Sequence, residues 1–290
     1  MNMRRRRRVP LAPYLFVLPF LAIFVGFALY PMGFALRLSF TNWRGAGLLE
    51  SVGLANYRYL LTSEDFWGSL GVSAVLWLLV VPLQVVLALA IAVALNRARL
   101  RGLFIGALVA PFVTPLVAMS QVWIVLFDKD FGAVNSALTA AGLPAVGWLT
   151  DPTWAKPTLA LLVLWRTTGY AVVLLLAGLQ SIPPEVYEAA RLDGAGAWTQ
   201  FWRVTLPLAM RTISFYVVIA TLTVFQLFAE PYVVTDGGPF NSTRTAGLYL
   251  YGHITNSDLG LGAANSFLLV ILVFGLSLAS IRILRPREDS

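Results

Sequence analysis

Charged residues are absent from four long stretches of the chain, 9–36, 66–95, 102–127 and 259–281. Each is long enough to cross a bilayer, since a helix needs about 20 residues to span ~30 Å of hydrocarbon. Two further stretches are apolar except for a single charge each: 157–179 contains Arg166 and 212–235 contains Glu230. The pattern predicts an all-α membrane protein of six transmembrane helices, at about 11–36, 67–95, 103–127, 157–179, 208–235 and 260–282. Helices are required because backbone groups in lipid must be satisfied within the segment. The short alternating strands of a barrel do not occur. Pro111 and Pro115 predict a kink or a local break in the third span.

The polar stretches orient the spans. Arg4 to Arg8 precede the first span, and Arg97, Arg99 and Arg101 separate the second and third. Arg191, Arg203 and Arg211 lie between the fourth and fifth, and Arg282, Arg285 and Arg287 follow the sixth. With alternating spans all these arginines fall on one side, which is the positive-inside pattern. The expected organisation is a cytoplasmic basic N-terminus (1–10), a transmembrane domain (11–282) and a cytoplasmic C-terminus (283–290). The net charge of +7 is thereby explained without nucleic acid, and the expected surroundings are membrane lipid. The first apolar run exceeds the 7–15 residues of a signal-peptide core and no A-x-A site follows it, so it reads as a retained span.

One polar segment differs from the rest. Residues 188–207, EAARLDGAGAWTQFWRVTLP, are rich in helix formers but too polar to enter a bilayer. Pro183 and Pro184 suit a helix start, Glu185 and Glu188 favour its first turns, and Asp193-Gly194 stops it. A second short helix begins near Ala195, with Trp198, Phe201 and Trp202 on one face; Leu206-Pro207 then opens the fifth span. Two short helices at the membrane surface are expected within 180–207. They serve either as an interfacial anchor or, through the small face of Ala189, Ala190 and Gly194, as a docking surface for another protein.

The spacing EAA at 188–190, Gly194 three residues further on, nine residues, then Val204-x-Leu206-Pro207 resembles the EAA loop of ABC-importer permeases. The one departure is Val204 in place of isoleucine. Residues 176–207, the stretch PYVVTDGGPFNSTRTAGLYLY at 231–251 and GLANYRYLL at 53–61 resemble the carbohydrate-importer branch, of the maltose and glycerol-phosphate type. The resemblance covers nearly the whole chain. It implies the type I importer permease fold, with coupling helices that insert into a cytoplasmic ATPase. It implies that Glu188, Ala189, Ala190, Gly194, Leu206 and Pro207 carry the coupling. It also implies four kinds of partner: a second permease subunit, expected to be a different chain, two ATPase subunits holding ATP and Mg, an extracytoplasmic sugar-binding protein, and a sugar or sugar derivative as cargo. The location implied is the bacterial or archaeal cytoplasmic (inner) membrane. Gly237, Gly238 and Pro239 form a tight turn on leaving the bilayer; the resemblance makes it a binding-protein contact. Asn241, Ser242, Thr243 and Thr245 offer polar groups beside it.

An arginine half-way along a span is costly, ~2.5–3.5 kcal/mol on insertion scales, and faces a cavity or a partner. Arg166 is therefore a pathway candidate or one half of a structural pair with Glu230. Tyr170, Gln226 and Asn265 are further pathway candidates. No phosphate-binding G-x-x-x-x-G-K-[ST] loop is present, so ATP must be bound by another subunit. With no cysteine and one histidine, neither a catalytic constellation nor a metal site is expected. An ion-coupled secondary transporter is the alternative, but two intramembrane charges make a thin proton relay.

Overall fold

The computed structural model describes residues 12–96 and 98–284. The arginine run 4–8, Arg97 and the C-terminal residues 285–290 lie outside the described residues. The described elements are helical: α1 (Ala12–Phe24), a π-helical turn (Val25–Leu29), α2 (Tyr30–Leu38), α3 (Ala55–Thr62), α4 (Glu64–Asn96), α5 (Arg101–Val113), α6 (Leu116–Leu126), α7 (Ala133–Ala140) and α8 (Pro152–Gln180). There follow α9 (Pro184–Leu192), α10 (Ala197–Gln200), a second π turn (Phe201–Thr205), α11 (Leu206–Phe225), α12 (Ala229–Thr235), α13 (Ala246–Thr255) and α14 (Leu259–Leu284). Five helical runs are long and apolar enough to cross a membrane, and a sixth if α5 and α6 are taken as one broken span.

The residues gather into two compact units, one reaching to Leu60 together with His253–Phe267, the other Leu61–Gly252 together with Leu268 onward. In the first unit, α1 and α2 present apolar side chains from Leu15 to Leu36. The chain then turns back: the Asn56 amide donates to the carbonyls of Ser39 (2.9 Å) and Thr41 (2.8 Å). The backbone N–H of Gly260 donates to the Trp43 carbonyl at 3.0 Å, and a Cβ at Gly260 would collide with the Thr41 carbonyl.

The second unit is built on α4 and α8. With 33 residues, α4 is about 50 Å long at 1.5 Å per residue. Its Leu76, Val80, Val81 and Ala88 are buried in one core with Leu159, Leu162, Val172 and Leu175 of α8. Between helices in lipid, close backbone approach replaces the hydrophobic drive. Gly169 accordingly lets α5 lie against α8, where a Cβ would strike the Leu108 carbonyl. Gly178 likewise receives Thr212 of α11, and Trp77 Nε1 donates to Thr221 Oγ1 at 2.8 Å.

One expectation about the elements is met and two need correction. The third span breaks locally as expected: α5 and α6 are bent by 92°. Thr114 is extended (ψ 139°) and Pro115 caps α6, because proline excludes the residue before it from helical geometry. Pro111, by contrast, stays inside α5. The expected fifth span ends at Phe225, and residues 226–228 separate α11 from α12. Finally, the second short surface helix is not separate: residues 197–225 form one helical run. The π turn makes this possible. The Leu206 N–H reaches back to the Phe201 carbonyl, which widens the helix just before Pro207 and relieves the clash of its ring with the preceding turn.

Candidate functional site

The polar segment between α8 and α11 folds as a helix, a tight turn and the start of a long helix. Pro184 lies in the first turn of α9, where its missing N–H costs nothing. The helix ends in a Schellman motif: Ala195 N–H donates to the Ala190 carbonyl (2.9 Å) and Gly194 N–H to the Arg191 carbonyl (3.0 Å). This turn requires positive φ at Gly194, which is +80°, the left-handed region where glycine carries no Cβ penalty. Gln200 Nε2 donates to the Ala195 carbonyl at 2.7 Å, and Tyr187 Oη lies 3.3 Å from Thr205 Oγ1. These contacts tie α9 to the root of the α11 run. Glu188, Ala189 and Gly194 are exposed and Ala190 half-buried; Glu188 and Arg191 are 3.9 Å apart. Leu192 (89% exposed) and Trp198 (74%) add apolar surface. Leu206 is half-buried and Pro207 exposed in the helical run itself.

A cavity of about 290 Å³ lies among α4, α5, α8 and α11. Its wall includes Gln84, Thr167, Thr223, Phe112, Tyr170 and Tyr216, with no charged side chain among the described residues. Gln84 Nε2 donates to Thr167 Oγ1 at 2.6 Å, and Thr167 in turn donates to the Val163 carbonyl at 2.6 Å. The Gln84 carbonyl oxygen thus has capacity as an acceptor. Phe112 stacks on Tyr170 with ring centroids 5.3 Å apart. Tyr170, a pathway candidate in the sequence, is on this wall. Gln84, Tyr216 and Phe112 were not singled out in the sequence: a lone amide or aromatic residue in an apolar run carries no local signal.

Arg166 and Glu230 meet. Arg166 Nη2 is 2.6 Å from Glu230 Oε1, with side-chain exposures of 18% and 4%. Glu230 is thus buried in the first turn of α12 instead of reaching toward a membrane surface. Arg166 also sits over Phe112, 5.9 Å from its centroid, while its buried Nε has no partner among the described residues. Gln226 is exposed at the end of α11. The break that follows is sealed by the segment after α12. Thr245 Oγ1 donates to the Leu227 carbonyl at 2.5 Å, Ser73 Oγ accepts from Ala246 N–H at 2.9 Å, and Gly247 fits against the Gln226 and Leu227 carbonyls. Non-helical backbone at membrane depth needs such partners. Phe228, Tyr232 and Tyr251 cluster beside it, centroids 4.3–5.5 Å apart.

The remaining candidates lie elsewhere. Asn265 belongs to the first unit; it is buried and neither of its amide atoms has a partner among the described residues. The Gly237-Gly238-Pro239 turn has a cis bond before Pro239 and φ +78° at Gly237. Gly237 is buried and its two neighbours half-buried. Ser242, Thr243 and Thr245 do not offer hydroxyls to the outside as expected. They are buried, with Thr243 Oγ1 donating to the Gly238 carbonyl at 2.8 Å. Phe240, at 93%, and Asn241 are exposed beside the turn.

Comparison with known proteins agrees with this architecture. Residues 84–288 match the family described as binding-protein-dependent transport system inner membrane component. The lactose transport system permease protein LacF of Rhizobium radiobacter is 36% identical over 95% of this chain and 94% of its own. The trehalose/maltose transport system permease protein MalF of Thermococcus litoralis is 31% identical over 95% and 94%. Among solved structures, a bacterial ABC transporter involved in the import of the acidic polysaccharide alginate superposes with a TM-score of 0.81 over 96% of both chains, at 22% identity, a likeness of fold. The chain therefore belongs to the inner-membrane components of binding-protein-dependent transport systems: it is the membrane permease subunit of an ABC importer, a kind of subunit that has no ATPase site of its own.

Proposed function

We propose that this permease carries a sugar or sugar derivative, received from an extracytoplasmic binding protein, through the membrane. The observation that carries this reading is the 290 Å³ cavity. Sugars are held by hydrogen bonds to hydroxyls and by apolar contact with ring faces. Gln84, Thr167 and Thr223 supply the first, and Tyr170, Phe112 and Tyr216 the second. The cavity adjoins the segment Arg166–Tyr170 and the helix break that Gln226 opens. Broken helices are where transporters place their substrate sites. The names of the lactose and trehalose/maltose relatives support the same substrate class. Asn265, with an unpartnered buried amide, is a further pathway candidate. Pro239 and Phe240 form the proposed contact with the binding protein.

The energy comes from two cytoplasmic ATPase subunits that bind ATP and Mg, acting with a second permease subunit of different sequence. Glu188, Ala189, Ala190 and Gly194 form the contact with the ATPase. Leu206 and Pro207 lie in the helix that transmits its movement. Because residues 197–225 are one helical run, displacement of the loop moves the inner end of α11 directly, and α11 walls the cavity. Both termini are cytoplasmic. The test is uptake of a panel of radiolabelled mono- and disaccharides into proteoliposomes holding the complete transporter, with its binding protein and ATP inside. Uptake of at least one sugar supports the reading. Uptake of amino acids or metal ions, and of no sugar, refutes it.

A further inference from the structure

Arg166 and Glu230 form an ion pair that is not part of the cavity wall but is linked to it through Phe112, and this arrangement bears on which sugars can pass. The two partners are not equivalent. Glu230 is the more deeply buried, at 4% exposure against 18% for Arg166. Arg166 uses Nη2 on Glu230 and keeps a buried, unpartnered Nε. It also lies over the Phe112 ring, 5.9 Å from its centroid; Phe112 stacks on Tyr170, and both rings line the cavity. A molecule in the cavity is thus one aromatic ring away from a guanidinium whose donors are not all used. A guanidinium with free donors is the side chain best suited to grip a carboxylate or phosphate in two-pronged fashion. What offsets that preference here is a single carboxylate, Glu230.

We infer that Glu230 is a specificity-determining residue: by neutralising Arg166 beside the cavity it keeps the pathway selective for uncharged sugars over anionic ones. The inference rests on the proposal that the cavity lies on the sugar pathway. The physical reasoning is electrostatic. In a site shielded from water, a net positive charge attracts anions strongly, whereas a close opposite pair presents a dipole that decays quickly with distance. Discrimination against a charged competitor then needs no steric exclusion, only the absence of an unpaired cation.

The experiment uses the complete transporter in nanodiscs, with both faces open, and follows ATP hydrolysis stimulated by sugar-loaded binding protein. Lactobionate is added as an anionic probe of disaccharide size, and lactose as its uncharged counterpart. In Glu230→Gln the lactobionate concentration giving half-inhibition is expected to fall at least tenfold relative to wild type, with no comparable change for lactose. Arg166→Gln/Glu230→Gln should lose that gain. Should the lone arginine prevent assembly of Glu230→Gln, the same comparison is made with Arg166→Lys/Glu230→Gln, because a buried lysine can release its proton and be tolerated. Its sensitivity to lactobionate should then rise as pH is lowered. Equal lactobionate sensitivity in wild type and the assembled variant overturns the inference. A gain that persists in the double variant overturns it as well. Failure of the underlying pathway reading is recognised separately, by wild-type proteoliposomes that take up no sugar.

Discussion

At the residue scale the ion pair of Arg166 and Glu230 dominates. Breaking a buried pair by removing one partner typically costs about 3–5 kcal/mol, because a charge is left without compensation. Replacing both partners with neutral residues removes that penalty. Arg166→Gln and Glu230→Gln should each lower the thermal unfolding temperature of the purified complex. The double variant should be more stable than either single one. Strictly additive losses would show that the two residues do not act as a pair. Both charges could be picked out in the sequence, since each interrupts an otherwise apolar span. Their pairing across 64 residues could be raised there only as one option. The burial of Glu230 could not be seen, since it follows from the end of α11 at Phe225, which turns α12 back into the protein.

At the element scale, sequence and structure part where tertiary contacts override local pattern. The bend after Thr114 was foreseeable because proline acts on its own neighbour. The break at 226–228 was not, for its residues Gln226, Leu227 and Phe228 contain neither glycine nor proline. Its cause is distant: Thr245 Oγ1 donates to the freed Leu227 carbonyl, and Gly247 of α13 leaves room for the Gln226 and Leu227 carbonyls. The π turn ahead of Pro207 was equally hidden, so the second surface helix was expected to be separate. The Schellman turn at Gly194, in contrast, could be read directly from Asp193-Gly194. A Cβ at Gly194 meets nothing within 4 Å, so Gly194→Asp acts within this chain through backbone conformation, at about 1–2 kcal/mol. Gly194→Asp should still insert in the membrane, and it should lose either ATPase co-purification or the coupling of hydrolysis to uptake. Wild-type values for binding, stimulated hydrolysis and uptake would reduce residues 188–207 to an interfacial anchor.

At the scale of the whole molecule, the apolar runs and the arginine-rich connections identified an all-α membrane protein, and the EAA-like spacing identified the family to which residues 84–288 belong. The position of the cavity was less accessible, because α4, α5, α8 and α11 supply its wall from residues 80 to 224. Apolar helices give no sequence signal of which face turns inward. The account as a whole holds that this chain is a passive conduit whose work is done elsewhere and delivered through 188–207. The most direct measurement is sugar accumulation in proteoliposomes by the complete transporter, with and without internal ATP and with and without a proton gradient. Accumulation that requires ATP and the loaded binding protein, and persists when the proton gradient is collapsed, is the predicted result. Accumulation driven by a proton gradient in the absence of ATP, by this chain without its ATPase subunits, would contradict it.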